Sequence, residues 1–494
     1  MPLSRATTDP LLSLTAAVGL GAGLVAFAAT LVLPPPEGLS LAGWHTLGLA
    51  LLMAIWWTTE PVPLGVTALM PLVVLPLAGI GKIGTVAEPY ANPLVFLFFG
   101  GFLLAAGVKR WGLHKRLAHA VVLAIGTEPH RLVLGFMVAS GFLSMWISNT
   151  AAIVLMLPVA LSVVTALEEA EGKGEDVRRF IVALLLGLAF GASIGGVGTL
   201  IGTPPNALLA GYLLESEGID LSFLAWSAVA MPLVIVFMPL AWLILTRVMF
   251  PVDPTLAAAI RDSKLDERLA MSGPMSPAER RVGAIFLAAA FLWMLRPVIN
   301  RFVPGLENLS DPGIALTAGA ALFFVPAGFA SERRFLLSWA EAKEIPWHVL
   351  ILFGGGLSLA AAIDQSGLAQ WIGQGLAALG DLPVFAFLLV LIAVVVVLTS
   401  FASNTATVAA LLPVVGTIAA DTGVDLVTVS AALAMAASCA FMMPVATPPN
   451  AIVFATGHVT VWAMLRAGFV VNLLAVFLVA LAAQALAPVL RMLG

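Results

Sequence analysis

The sequence predicts an all-α polytopic membrane protein with 11 transmembrane helices and two re-entrant hairpins, laid out as two inverted-topology repeats. Three observations carry this. The 494-residue chain is 61% hydrophobic and 10% charged, with a mean hydropathy of +1.06, whereas a soluble domain carries about 25% charged residues. Two stretches, 132–167 and 382–420, contain no Lys, Arg, Asp, Glu or His and are too long for one span. Short motifs from the first half return, in the same order, in the second.

A helix crosses the hydrocarbon core in about 20 residues. Apolar runs at 11–33, 41–57, 62–80, 93–109, 180–199, 221–249, 282–303, 312–330, 346–363, 426–443 and 467–490 are the expected spans. The opening MPLSRATTDP has no small-residue cleavage site behind a short apolar core, so the first run is expected to be retained as a span. Placing the N-terminus in the cytoplasm puts every Lys and Arg inside except Lys82, Arg296, Arg301 and Arg491, and leaves the C-terminus outside. A multi-pass protein of the inner (plasma) membrane is expected. The net charge of −4 gives no reason to expect nucleic acid, and the single Cys439 excludes an internal disulfide and reads as a packed helix residue.

Each long charge-free run carries a polar triplet near its middle, SNT at 148–150 and SNT at 403–405, with Pro158 and Pro413 at matching places further on. Two half-length helices meeting at a polar tip account for the length of each run. Backbone broken at membrane depth is tolerated only against protein or a watery cavity, so the tips should line a cavity. The hairpins are bounded at 131–167 and 382–420. Upstream, VFLFFGG (95–101) returns as VLILFGG (349–355); downstream, GTPPNA (202–207) returns as ATPPNA (446–451). Five expected spans separate the hairpins, an odd number, so the copies face opposite sides of the membrane. Inverted repeats with broken helices around a midplane site mark secondary transporters. The expected division is 1–91, N-terminal scaffold helices; 92–249, the first repeat core with its helix broken at 202–206; 250–345, a cytoplasmic connector and scaffold helices; and 346–494, the second core with its break at 446–450.

Ser, Asn and Thr both donate and accept hydrogen bonds, and the helix following each triplet turns its positive end to the tip, which suits an anion. Carbonyls at the broken ends suit a cation. In TPPN the two prolines break the helix, Thr203 and Thr447 add hydroxyls, and Gly202 and Ala446 are small enough for a close carbonyl approach. Such residues in membrane helices often bond only a neighbour or their own backbone; the matched pairs of tips and breaks argue for a ligand site instead. With no fixed base in either charge-free run, a multiply charged anion would need cations beside it. The glycines at 100–101 and 354–356 are expected to serve helix packing, Trp56 and Trp57 an interfacial belt, and His348 a span end.

These tips and breaks resemble the divalent anion/sodium symporter family, the INDY-type carriers of dicarboxylates, citrate and sulfate, over about residues 40–490. The resemblance implies a homodimer with a scaffold domain at the interface and a transport domain that moves like an elevator. It implies substrate contacts from Ser148, Asn149 and Thr150, from Ser403, Asn404 and Thr405, from Thr203 with Pro204, and from Thr447 with Pro448. It implies one sodium site at Ser144, Ser148, Asn149 and Gly202, and another at Thr399, Ala402, Asn404 and Ala446. The expected activity is sodium-coupled symport of a small dianion, a C4-dicarboxylate such as succinate. The family also holds sodium-independent exchangers and sulfate carriers, so the resemblance implies these as the alternative activities. An intramembrane enzyme is disfavoured, since no nucleophile–base pair or ligand cluster lies in the spans; an anion channel would need charged rings that are absent.

Overall fold

The computed structural model describes residues 14–493 apart from 127, 173, 263–273, 329–334, 369, 373–382, 401, 402 and 423. Among these the fold is helical, and an isolated bridge joins Pro326 to Phe335. In chain order the helices are α1 (Leu14–Val32), α2 (Leu41–Thr59), α3 (Leu64–Thr67), α4 (Met70–Leu77), α5 (Ile83–Ala87), α6 (Pro93–Arg110), α7 (Leu113–Ile125), α8 (Pro129–Ser144), α9 (Asn149–Glu171), α10 (Glu175–Gly196), α11 (Pro204–Glu217), α12 (Phe223–Leu243) and α13 (Ala257–Asp262). They continue as α14 (Pro277–Phe302), α15 (Asp311–Phe324), α16 (Trp339–Ala342), α17 (Trp347–Gln365), α18 (Val384–Thr399), α19 (Asn404–Thr422), α20 (Leu426–Ala437), α21 (Pro448–Phe454) and α22 (Val461–Leu493).

Nine described helices are long and apolar enough to cross a membrane: α1, α2, α6, α9, α10, α12 with its following π turn, α14, α17 and α22. α9, expected as a half-length hairpin arm, is 23 residues long, and three of the expected spans take shorter forms. The run 62–80 is split between α3 and α4, α15 has 14 residues, and α20 stops at Ala437 because the chain then turns away from helix. The amphipathic α7 was not among the expected elements, since it has no long apolar run: its buried positions, Leu113, His114, Ala118 and Val122, recur at helical spacing along one face.

The core is built around α10 and α20. Every residue of α10 from Phe180 to Gly196 is buried, as is every residue of α20 from Val427 to Ala437. Such helices lack a polar face because protein surrounds them on all sides. Close approach depends on glycine. A Cβ on Gly195 would stand 2.3 Å from the Gly141 backbone, joining α10 to α8, and one on Gly100 would stand 2.4 Å from the backbone of Ala315, joining α6 to α15. On α17, a Cβ at Gly354 would stand 2.3 Å from the Tyr90 ring and one at Gly355 would stand 2.2 Å from the Ala68 carbonyl oxygen. The packing expected of these glycines is thus present.

Trp56 and Trp57 depart from expectation. They are 8% and 1% exposed, and their indole N–H groups donate to the carbonyls of Leu20 and Leu64 at 3.4 and 3.3 Å. They pin α2 to its neighbours and do not form an exposed belt. His348 is exposed at the start of α17, as a span-end residue should be. Arg296 lies 2.8 Å from Asp220 and 2.9 Å from Asp311. Two carboxylates answer its charge and tie the ends of α12, α14 and α15, Asp311 also accepting from the Phe223 N–H at 2.8 Å.

The two halves interlock. α9 packs against α21, and α19 packs against α11; α10 also meets α21, and α20 meets α11. Each helix that follows an SNT triplet is therefore seated on the helix that follows the TPP of the other half.

Candidate functional site

The first tip is local chemistry. α8 stops at Ser144, residues 145–148 leave the helix, and α9 restarts at Asn149. Ser148 is the N-cap of α9, its hydroxyl accepting from the Ala151 N–H at 3.3 Å. The buried Ser144 hydroxyl donates to Asn149 Oδ1 across the break. The second break is built by sequence too. α10 ends at Gly196, Thr203 takes an extended conformation (φ −144°, ψ 141°), and Pro204 and Pro205 occupy the first helical positions of α11, where no N–H is needed. The two breaks are tied to each other: the Thr199 hydroxyl donates to the Met145 carbonyl at 2.5 Å.

They enclose a cradle. A Cβ placed on Gly196 would stand 2.7 Å from Asn149 Oδ1, 3.3 Å from the Gly202 carbonyl oxygen and 3.3 Å from Ser144 Oγ. Ser144, Asn149 and Gly202, three of the four residues expected at one cation site, thus bring neutral oxygens together in a space left open by a missing side chain. Neutral carbonyl and hydroxyl oxygens suit a hard cation. Ser148, the fourth, is exposed and lines a cavity of about 470 Å³ together with Phe102, Lys109, Ala151, Glu341 and Glu344.

The second half repeats the construction. α18 ends at the buried Thr399, whose hydroxyl donates to the Val396 carbonyl at 3.3 Å, and α19 restarts at Asn404. Asn404 Oδ1 is buried and finds no donor among the described residues, an orphaned acceptor of the kind a cation or a water satisfies. Ala446 is buried at 4% exposure, and Ala402 lies outside the described residues. Thr447 mirrors Thr203 with φ −144° and ψ 149°, and its hydroxyl caps α21 by accepting from the Asn450 N–H at 3.3 Å.

Of the expected substrate contacts, Thr203 and Thr447 are buried, Asn149, Thr150, Pro204, Ser403, Asn404 and Thr405 are half-buried, and Ser148 and Pro448 are exposed. The crosswise packing seats the helix starting at Pro448 on the one starting at Asn149, and the helix starting at Pro204 on the one starting at Asn404. Sequence reasoning passed over Gly196, Thr199, Asn206 and Asn450. The repeated Asn of TPPN was a signal in plain view; its partners, seven and ten residues back, were not.

A helical membrane fold with two pairs of broken helices around buried neutral oxygens is the architecture of a secondary transporter. The chain matches the family described as sodium:sulfate symporter transmembrane region over residues 14–493, and it belongs to that family. It is 39% identical over 474 residues to the sodium-dependent dicarboxylate transporter SdcS of Staphylococcus saprophyticus, covering 95% of this chain and 91% of the relative. It is 39% identical over 479 residues to SdcS of Staphylococcus aureus strain USA300, covering 96% and 91%. Among solved structures it resembles the Alcanivorax borkumensis YdaH transporter (TM-score 0.59, 15% identity, 96% of this chain and 98% of that one) and Neisseria gonorrhoeae MtrF (TM-score 0.57, 14% identity, 97% and 95%). At those identities the likeness is one of fold. The family places the chain among transporters and not among enzymes.

Proposed function

We propose that the protein is a sodium-coupled symporter of a small dianion, a C4-dicarboxylate such as succinate, and that it works by an elevator movement. The observation that carries the reading is the cradle beside Gly196, where Asn149, Ser144 and Gly202 oxygens converge within one repeat while, among the described residues, Asn404 Oδ1 stands without a donor in the other. The relatives named sodium-dependent dicarboxylate transporters, at 39% identity over nearly the whole chain, support it.

Magnitudes favour coupling. Each helix N-terminus at the site, those of α9, α19, α11 and α21, offers at most roughly half a positive charge, which fades within a turn. It stabilises an anion by only about 0.3–1 kcal/mol, so these ends do not replace fixed charges beside a dianion. Neither charge-free stretch, 132–167 or 382–420, holds a basic residue. The cavity beside Ser148 sets Lys109 and Arg110 against Glu341 and Glu344, so it adds no formal net charge. Co-bound cations would supply the missing charge, at Ser144, Ser148, Asn149 and Gly202 and at Thr399, Ala402, Asn404 and Ala446. The substrate would meet Ser148, Asn149, Thr150, Thr203, Pro204, Ser403, Asn404, Thr405, Thr447 and Pro448.

In this reading α8–α9 and α18–α19 are the re-entrant hairpins of two inverted repeats, 11 spans complete each protomer, and a homodimer is held through the scaffold segments 1–91 and 250–345. With the N-terminus in the cytoplasm, the cavity reaching Ser148 past Lys109, Arg110, Glu341 and Glu344 opens inward. The family's sulfate-symporter description motivates one second reading, a sulfate carrier using the same donors. Asn149→Ala or Asn404→Ala should abolish sodium-dependent succinate uptake in proteoliposomes while leaving a folded dimer. Near-normal uptake by either variant would remove the two-tip site.

A further inference from the structure

We propose that Asn206 and Asn450 are positioning residues for the co-transported cation, clamping the backbone turns that present carbonyls to it. The inference deepens the sodium-coupled reading above and rests on it. Both side chains are fully buried, at 0% exposure. Asn206 Nδ2 donates to the carbonyls of Gly196 at 3.3 Å, Val197 at 3.3 Å and Thr199 at 2.8 Å. Asn450 Nδ2 donates to the carbonyls of Ala440 and Met443, both at 3.0 Å. The Gly196 and Ala440 carbonyls lie 10 residues back, and those of Thr199 and Met443 lie 7 back. The same clamp is therefore built twice, once in each half.

The clamp answers a problem of solvent. Gly196 ends α10, while Thr199, Ala440 and Met443 lie in the turns beyond α10 and α20. Helical hydrogen bonding stops there, and at membrane depth no bulk water fills in. Thr199 and Met443 also accept from the N–H groups of Gly202 and Ala446. One carboxamide brings two hydrogens to those carbonyls; a hydroxyl brings one and a carboxylate none. The opposite amide orientation would aim oxygen at oxygen, so the nitrogen faces the turn. The remaining Oδ1 finds no donor in either copy among the described residues, and an unmet buried acceptor is costly. A residue kept twice at that cost is kept for its N–H groups.

The turn so held is the wall of the cradle. The Gly196 carbonyl that Asn206 grips would stand 2.3 Å from a Cβ on Gly202, and the space beside Gly196 is bounded by Asn149 Oδ1, the Gly202 oxygen and Ser144 Oγ. Releasing the carboxamide therefore moves two sides of the cradle. The fold keeps a second anchor there, since the Trp226 N–H donates to the Val197 carbonyl at 2.8 Å, so a variant at Asn206 should fold with a loosened site.

The test is the melting temperature of the purified, substrate-free protein as sodium chloride replaces choline chloride, beside succinate uptake against sodium. Wild type should be stabilised by sodium. Asn206→Ser should melt close to wild type in choline but need about tenfold more sodium for half its effect, the factor expected when one bond to a buried group is lost. Its uptake should show the same sodium shift with the maximal rate restored at high sodium, and Asn450→Ser should behave likewise. A uniform fall in melting temperature at unchanged sodium half-effect, or collapse of both variants, would mean the clamps hold only the fold and would overturn the proposal. Wild type indifferent to sodium in both assays would instead remove the coupling reading, and this inference with it.

Discussion

Gly196 and Gly195 are neighbours with different duties. At Gly196 the nearest atom to an added methyl is the end of a side chain, Asn149 Oδ1, which can swing aside; at Gly195 the nearest atoms are the backbone of Gly141. Gly196→Ala should therefore fold, displace the Asn149 carboxamide and raise the sodium needed for half-maximal uptake, with the melting temperature in choline little changed. An unchanged sodium dependence would show that the space beside Gly196 holds no cation. Ser144, Asn149 and Asn404 were legible in the sequence because a polar residue in a charge-free run must answer to something. Gly196 was not, because its contribution is an absence of atoms that becomes visible only when Asn149, Ser144 and Gly202 surround it. Asn206 and Asn450 were hidden differently: the prolines before them suffice to break the helix, so the sequence alone gives the Asn no separate duty.

At the level of elements, the α8–α10 contact depends on backbone meeting backbone. Gly195→Ala would place a carbon 2.3 Å from both the Cα and the carbonyl oxygen of Gly141, and neither can retreat without moving a helix. We expect loss of folded protein, seen as aggregation on size-exclusion chromatography; a monodisperse variant with wild-type melting would show that these helices have slack. The sequence marked the tips well, placing both SNT triplets where helices restart, because triplet and following proline recur together. It marked helix ends less well. Residues 438–447 look as apolar as a span, yet they leave the helix at Ser438, in a turn whose carbonyls Asn450 collects. α7 escaped because a search for long apolar runs does not find a helix whose apolar face is one stripe.

At the scale of the whole molecule, the crosswise seating of α9 on α21 and of α19 on α11 makes the two halves one mechanical unit. That exchange was not legible, since motif recurrence says the halves are alike and says nothing about which half each tip helix rests on. It supports the claim that both halves serve one substrate, and it makes coupling between them the property to measure. The direct measurement is uptake of labelled succinate into proteoliposomes under an inward sodium gradient, in vesicles with no succinate inside. The account predicts sodium-driven accumulation above the external concentration, collapsing when the gradient is dissipated. Uptake confined to vesicles preloaded with succinate and indifferent to sodium would contradict it, and the protein would be an exchanger.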